Sequence, residues 1–231
     1  MIARGGRPLR VLFLSREYPP ETGGGGIGTY VETMARALVA RGHEVHVLSC
    51  VPGQKSDDQI RDGVHLHRRG VWRVVPKMKR WIPATGRRIE GAFSCYAEFR
   101  RLALDVDVVE APDWMGEGLA FALSRTLPLV GHLHTPLLVV GQNNPGSFRW
   151  TRDRRAASII EHLAIRRADV VTSPSKLLVE RLVEAGWLRR DGAAVVRYPA
   201  DTRCLHMDWP MTPVPIQPRR VVSGDVGLMS V

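Results

Sequence analysis

Short apolar runs alternate with amphipathic helical patterns along most of this chain, and this alternation constrains the fold most strongly. The first run, Leu9–Ser15 (LRVLFLS), is rich in β-forming residues. The other strand-like runs are Glu44–Cys50, Val64–Val71, Val106–Ala111, Leu127–Leu133, Asp169–Ser173 and Ala193–Tyr198. Helical patterns lie between them, one before residue 42 and others at about 86–104, 116–126, 153–167 and 175–186. Because parallel strands need long crossover connections, the order predicts an α/β fold with a doubly wound parallel sheet.

Four consecutive glycines, Gly23–Gly26, separate the first strand from the first helix. Glycine loses the most backbone entropy on folding, so such a run is costly unless bare backbone is needed. In a parallel sheet this loop lies at the carboxyl edge, where the helix start presents unpaired N–H groups to an anion. We therefore predict that this loop, as far as Gly28, approaches an anionic ligand, and Thr29 is a candidate to line the cleft. The alternative is that the glycines only permit a tight turn.

Two common phosphate-binding motifs do not fit the loop. Gly23, Gly25 and Gly28 match G-x-G-x-x-G, but they do not follow the strand directly. The next strand ends in Ser49 and Cys50 rather than in the acidic residue that would hold a ribose hydroxyl, which disfavours NAD. No lysine precedes Thr29, which disfavours a Walker A nucleotide triphosphate site.

Composition is that of an ordinary globular protein. The chain has 231 residues, of which 44% are hydrophobic and 24% charged. Its three cysteines, Cys50, Cys95 and Cys204, are odd in number and far apart, which disfavours a disulfide framework or a thiolate zinc site. The amino terminus lacks the apolar run of a signal peptide, and no segment has the length of a membrane span. We therefore expect a cytoplasmic location.

Polar residues follow two of the predicted strands at the same edge as the glycines. In GHLHTP, His134 is a candidate hydrogen-bond donor or base near the ligand. His132 and His134 could also form a metal pair, although no further ligands accompany them, or His134 could simply be satisfied by backbone at a strand end. Glu110, Asp113 and Trp114 (EAPDW) are candidates to line the cleft.

Positive charge is concentrated in one segment. The formal net charge is +10, and residues 68–88 contain no acidic residue. The basic residues there are Arg68, Arg69, Arg73, Lys77, Lys79, Arg80, Arg87 and Arg88. With Trp72 and Trp81 among them, they predict a patch that binds a membrane or a phosphorylated acceptor; no nucleic-acid-binding signature accompanies them, so we expect no nucleic acid partner. The alternative is a solvated basic loop.

Several segments, in order, resemble the amino-terminal domain of glycosyltransferase family 4. They are SREYPPETGGGGIGTYVETMARALVARGHEVHVLS, VVEAPDWMGEGLA, PLVGHLHTPL, RRADVVTSPSKLLVERL and VVRYPADT, between about residues 9 and 205. The resemblance implies a retaining enzyme of the GT-B type, in which two Rossmann-like domains face each other. It implies a Rossmann-like domain over residues 1–205, followed by a Pro-rich linker or tail over 206–231, with the carboxyl-terminal donor domain not recognisable.

The resemblance also implies an activity. Sugar would pass from a nucleotide-diphosphate donor to a hydroxyl acceptor, including a lipid-linked one, without a metal or other cofactor. It places the family's Gly-Gly pair, which approaches the donor diphosphate, at Gly25 and Gly26, and the His that approaches the sugar at His134. Because the second domain carries most nucleotide contacts, we expect this chain alone to be inactive. The alternative is a non-catalytic module that binds a phosphorylated or lipid-linked acceptor. For either function we expect a cytoplasmic protein with peripheral contact at the inner face of the membrane.

Overall fold

The computed structural model describes residues 7–20, 25–72 and 80–198. Eight strands form one sheet in the order β3-β4-β2-β1-β5-β6-β7-β8. The strands are β1 (Arg10–Leu14), β2 (Glu44–Val51), β3 (Asp57–Arg61), β4 (Val64–Gly70), β5 (Val108–Pro112), β6 (Leu129–His132), β7 (Val170–Ser173) and β8 (Ala194–Val195). All neighbouring pairs are parallel except β3 and β4. The predicted Pro-rich tail at 206–231 and Cys204 lie outside the described residues.

Helices connect most of the strands, and all of them except α4 were predicted from the periodicity. They are α1 (Gly26–Val39), α2 (Pro83–Leu102), α3 (Leu119–Ser124), α4 (Leu137–Asn143), α5 (Arg152–Arg166) and α6 (Lys176–Glu184). A short 3-10 turn covers Trp114–Gly116. Gly42 and Gly186, with φ of +85° and +73°, follow α1 and α6 in the left-handed conformation that ends many helices. The doubly wound α/β prediction is confirmed.

The central strand β1 separates two halves of the core. Leu12 and Leu14 belong to a cluster on one face that includes Phe99 of α2, whereas Val11 and Phe13 belong to a cluster on the other face that includes Val31 of α1. All four β1 side chains are at least nine-tenths buried, and each such burial contributes about 1.5–3 kcal/mol. A strand buried on both faces explains why this run is continuously apolar.

The strand order reverses at β1. Val11 pairs with Val45 of β2 on one side and with Val108 of β5 on the other, so the chain winds outward from β1 in both directions. The loops that follow β1 and β5 diverge at the carboxyl edge and leave a crevice between them. Ligands of open α/β sheets bind at such a switch point.

Strand β3 and helix α4 were not predicted. β3 reads DDQIR and has no apolar alternation, because it lies at the sheet edge and is largely exposed. It pairs with β4 through a turn in which Asp62 and Gly63 have φ of +50° and +78°. The Asp-Gly pair is a strong hairpin signal, so the sequence did carry the information.

The predicted basic patch is wrong at Arg68 and Arg69, whose side chains are 4% and 2% exposed. Arg69 donates to both carboxylate oxygens of Asp58, at 2.7 and 2.8 Å, and also pairs with Glu98. Arg68 pairs with Asp57 at 3.2 Å. The unpredicted strand β3 supplies both aspartates, so these arginines stabilise the fold and do not face a membrane.

The remaining members of that patch differ in position. Arg80 and Arg87 are exposed, and Trp81 is 79% exposed. Arg88 is buried and pairs with Glu161. Arg73, Lys77 and Lys79 lie outside the described residues. None of the helices in the described part of the chain combines the length and the hydropathy that a membrane span requires.

Candidate active site

A cleft of about 550 Å³ lies at the carboxyl edge of the sheet. Its walls come from the segments that follow five different strands. The lining residues are Glu17, Gly25, Gly26 and Ile27 after β1, Trp114 after β5, His134, Thr135 and Val140 after β6, Pro174 after β7, and Tyr198 after β8. The fold therefore brings together the predicted Gly25, Gly26, Trp114 and His134.

A larger cavity of about 820 Å³ lies near the other edge of the sheet, at the amino ends of β7 and β8. Trp187 and His162 line it, with stacked rings whose centroids are 4.8 Å apart. Ligands of doubly wound sheets bind at the carboxyl edge instead, so volume alone does not favour this cavity. We assign the candidate site to the cleft.

The amino terminus of α1 forms one wall of the cleft. Gly25 is its extended N-cap residue and contributes no side chain to capping, and the N–H of Thr29 makes the first helical bond to the carbonyl of Gly25 at 3.1 Å. The carboxylate of Glu17 accepts a long hydrogen bond, 3.4 Å, from the N–H of Gly28. An acidic group of the chain itself thus lies where the helix favours negative charge.

The glycines of this turn serve two different purposes. A Cβ on Gly25 would meet the Glu17 carboxylate, and one on Gly28 would lie 2.9 Å from Glu17 Cβ and 3.3 Å from its backbone. A Cβ on Gly26 would have no described atom within 4 Å beyond its chain neighbours. Close packing against Glu17 therefore accounts for Gly28, whereas a Cβ on Gly25 would only displace the end of the Glu17 side chain; among the described glycines of this turn, Gly26 opens onto free space.

Thr29 does not line the cleft, contrary to the prediction. Its side chain is exposed, and its hydroxyl donates to the carbonyl of Gly25 at 3.1 Å within the first turn of α1. Its position in the helix, one residue past the buried Gly28, turns it outward.

His134 lies in the loop between β6 and α4. Its backbone N–H donates to Asp113 Oδ1 at 3.0 Å, and its Nδ1 is hydrogen-bonded to the hydroxyl of Tyr198. Burial, and to a smaller extent the neighbouring His132, lowers the pKa of His134 to about 3. The imidazole is therefore neutral at physiological pH and can donate or accept a hydrogen bond.

Asp113 lies beneath the cleft rather than in its wall, which corrects its predicted role. It is fully buried, its N–H donates to the carbonyl of His132 at 3.0 Å, and its Oδ1 accepts a hydrogen bond from the N–H of His134. Burial raises the pKa of Asp113 to about 8, against the opposing effect of that hydrogen bond. Asp113 therefore positions the His134 loop.

Tyr30 of α1 is a residue that the sequence did not single out. Its hydroxyl donates to Glu110 Oε1 at 2.9 Å, and its ring stacks on His132 with centroids 4.3 Å apart. Burial raises the pKa of Glu110 to about 7, and burial lowers that of His132 to about 4. His134 contacts the edge of the Tyr30 ring. The only available signal was that Tyr30 lies on the buried face of α1, one turn from the glycines.

The two histidines considered above as a metal pair make other contacts in the structure. His132 Nδ1 lies 2.7 Å from the hydroxyl of Thr172, and the two imidazole rings meet edge to face. Within residues 7–20, 25–72 and 80–198, no group of three or more His, Cys, Asp or Glu side chains is arranged to hold a metal ion.

Trp114 is held in place by a buried ion pair behind it. Arg88 of α2 donates to Glu161 Oε1 at 2.9 and 2.6 Å, and its guanidinium lies 6.0 Å from the Trp114 ring. The same carboxylate accepts the N–H of Met115 at 3.2 Å and that of Leu137 at 2.7 Å. Glu161 thereby fixes the loop after β5 and the start of α4 together.

Comparison with known proteins identifies the family. The family model described as Glycosyltransferase Family 4 matches residues 24–203, which is most of the chain. The chain belongs to glycosyltransferase family 4. This family member is 31% identical over 142 residues to a glycogen synthase of Mycobacterium tuberculosis, a match that covers 54% of this chain and 33% of that protein.

Solved structures support the fold. Starch synthase IV from Arabidopsis thaliana, bound to ADP and acarbose, matches with a TM-score of 0.57 and 13% identity, covering 85% of this family member and 52% of that chain. Sucrose-phosphate synthase from Thermosynechococcus elongatus matches with a TM-score of 0.57 and 14% identity. The match covers 82% of this family member and 48% of that chain. The chain thus spans about half the length of these structures and about a third of the curated relative.

Proposed function

We propose that this chain forms one wall of the active site of a retaining glycosyltransferase, which transfers a sugar from a nucleotide-diphosphate donor to a hydroxyl acceptor. The observation that carries the proposal is the cleft itself, where the open space beside Gly26 at the start of α1 and the neutral His134 line one cavity.

The helix start supplies the chemistry that a diphosphate requires. Unpaired N–H groups and the positive end of the helix dipole stabilise negative charge on a departing phosphate without a metal ion. Glu17, which occupies that region, has to move or be displaced when a phosphate binds there. Because His134 is neutral, it does not hold the departing phosphate as tightly as a cation would. Its imidazole can still form a hydrogen bond with the sugar.

The relatives agree with this choice of ligand. The structure of starch synthase IV contains a nucleoside diphosphate and a carbohydrate, ADP and acarbose. The chain spans about half of that structure. Since the family resemblance implies two facing domains, we propose that transfer needs the second one, and that this chain alone binds donors weakly and transfers no sugar.

The proposal is tested by titrating the ¹⁵N-labelled chain with ADP-glucose and UDP-glucose and following backbone amide shifts. We expect saturable shifts at Gly26, Gly28 and His134. Gly26→Val should abolish them, because its side chain enters the open space of the cleft. Gly146→Val is the matched control, since Gly146 also has no described atom near its Cβ position but does not line the cleft. Equal donor binding by both variants would contradict the proposal, and so would shifts confined to the cavity near Trp187.

A further inference from the structure

A side pocket of about 180 Å³ adjoins the cleft. It shares Glu17, Ile27 and Trp114 with the cleft, so the two cavities are neighbours. Its other lining residues are Arg16, Pro112, Met115 and Glu117. At about 30 Å³ for each water, this volume holds about six water molecules, which is the space of one small ring with its hydroxyl groups.

Glu117 is the unexplained residue of this pocket. It is 2% exposed, and its Oε2 has no hydrogen-bond partner among the described residues. Its Oε1 lies 3.7 Å from Arg16 Nε, which is beyond hydrogen-bonding distance. Buried polar atoms are nearly always satisfied in native proteins, so an unpaired carboxyl oxygen in the lining of a cavity indicates a missing partner.

The protonation state of Glu117 suits a ligand hydroxyl. Burial raises the pKa of Glu117 to about 8; Arg16 opposes this shift and Glu17 adds to it. At neutral pH the carboxyl is therefore mainly protonated, so it can donate one hydrogen bond and accept others. A hydroxyl group has the same capacity to donate and accept, and the two groups complement each other.

We propose that this side pocket is the acceptor subsite, and that it takes a neutral polyhydroxyl group such as a sugar ring, with Glu117 and Arg16 as hydrogen-bonding groups and Trp114 as the apolar surface. The inference rests on the proposed transferase function and narrows its acceptor. The pocket has the composition of small-molecule sites, in which a few placed polar groups accompany aromatic and apolar side chains.

The charges of the pocket argue against a phosphorylated group there. Glu117 is mainly protonated at neutral pH, and the single guanidinium of the lining, Arg16, is accompanied there by the carboxyl group of Glu17, so the lining carries no net positive charge. A phosphate monoester carries about −1.5 to −2 charge at pH 7 and would not be neutralised there. A neutral sugar meets no such penalty, and its less polar ring face can pack on Trp114.

The experiment follows the indole N–H signal of Trp114, assigned among the six tryptophans by its loss in Trp114→Phe. The probes are methyl α-glucoside, methyl α-mannoside and glucose 6-phosphate, each titrated at millimolar concentration into the ¹⁵N-labelled chain. We expect at least one neutral glycoside to shift the signal saturably and glucose 6-phosphate to bind more weakly. Glu117→Leu should weaken the neutral glycoside about tenfold, because the hydrogen bonds are lost, whereas Glu117→Gln should restore most of the affinity.

Two further variants keep the result interpretable. Glu90→Gln changes a buried carboxyl of α2 that does not line the pocket, and it should bind like the parent. Arg16→Met changes a side chain that is 22% exposed, and it should weaken binding severalfold even if Glu117→Leu fails to fold. No shift with either glycoside, an unchanged affinity in Glu117→Leu and Arg16→Met, or preferred binding of glucose 6-phosphate overturns the inference. If donor shifts at Gly26 persist in that case, the transferase proposal stands, and if they too are absent, the transferase proposal fails separately.

Discussion

The carboxyl oxygen Oδ1 of Asp113 accepts a hydrogen bond of 3.0 Å from the backbone N–H of His134, and this bond joins the end of β5 to the loop after β6. The N–H of Asp113 in turn donates to the carbonyl of His132. The position of His134 in the cleft is thus set by a buried residue that no ligand can reach.

Asp113→Ala should destabilise the chain by about 1–3 kcal/mol, because the N–H of His134 loses its buried acceptor. Asp113→Asn retains an acceptor oxygen of the same geometry and should cost less. Urea unfolding measures the stability, and the amide and imidazole shifts of His134 report the loop position. Equal stability of the alanine and asparagine variants would show that the bond is not important.

Stability should fall as the pH rises from about 6.5 to about 8. Burial raises the pKa values of Glu110, Asp113 and Glu117 to about 7, 8 and 8, so the folded chain retains protons that the unfolded chain has already released. Each group contributes a slope of at most about 1.4 kcal/mol per pH unit. Histidines with lowered pKa, such as His132 and His134, act in the opposite direction but only below about pH 6.5.

Urea titrations at several pH values test this dependence. The variants Glu110→Gln, Asp113→Asn and Glu117→Gln should each flatten the slope. A free energy of unfolding that rises over this range would contradict the protonated state of these carboxyls.

Gly28→Ala should lower the free energy of unfolding by about 1–3 kcal/mol, since its Cβ would lie 2.9 Å from Glu17 Cβ and force the β1 loop to shift. Gly26→Ala, two residues earlier, should leave the melting temperature almost unchanged because its Cβ enters open space. Thermal unfolding of the pair compares them directly. If both variants melt like the parent, close packing against Glu17 does not explain Gly28.

Removing one partner of the buried Arg88–Glu161 pair should cost about 3–5 kcal/mol, as in Arg88→Met or Glu161→Leu alone. The double variant should be more stable than Arg88→Met alone, because the charge of Glu161 is no longer buried without a partner. It should remain below the parent, since the N–H groups of Met115 and Leu137 still lose their acceptor. A double-mutant cycle in urea measures the coupling, and purely additive costs would indicate that the pair is not coupled.

We also propose peripheral binding to anionic membranes through the exposed part of the basic segment. Arg80→Glu with Arg87→Glu should weaken co-sedimentation with vesicles of phosphatidylserine and phosphatidylcholine, since each basic residue near such a surface contributes about 1 kcal/mol. Arg69→Met should lower stability without changing vesicle binding of the folded chain, because Arg69 is buried against Asp58 and Glu98. Equal co-sedimentation with vesicles that contain or lack phosphatidylserine would indicate that the basic segment is only a solvated loop.

The fold was predictable because the central strands, such as β1, are buried on both faces and therefore read as apolar runs. The edge strand β3 was missed because exposure removes that pattern, and with it the partners of Arg68 and Arg69 were missed. Gly25 and Gly26 line the cleft, but the predicted Gly28 is buried against Glu17, and that packing depends on the path of the loop. Asp113 and Tyr30 act through contacts between distant segments, which no local pattern records.

The ties between loops also decide how such a cleft can be redesigned. Its walls follow five strands, and surface loops on a rigid sheet usually tolerate exchange one at a time. Here Asp113 and Glu161 tie the loop after β5 to the loop after β6 through hydrogen bonds. Replacing either loop alone would leave buried hydrogen-bonding groups of the other loop without partners. The smallest graftable module that could change what the cleft accepts is therefore the β5 and β6 loops together with Glu161, transferred as one set.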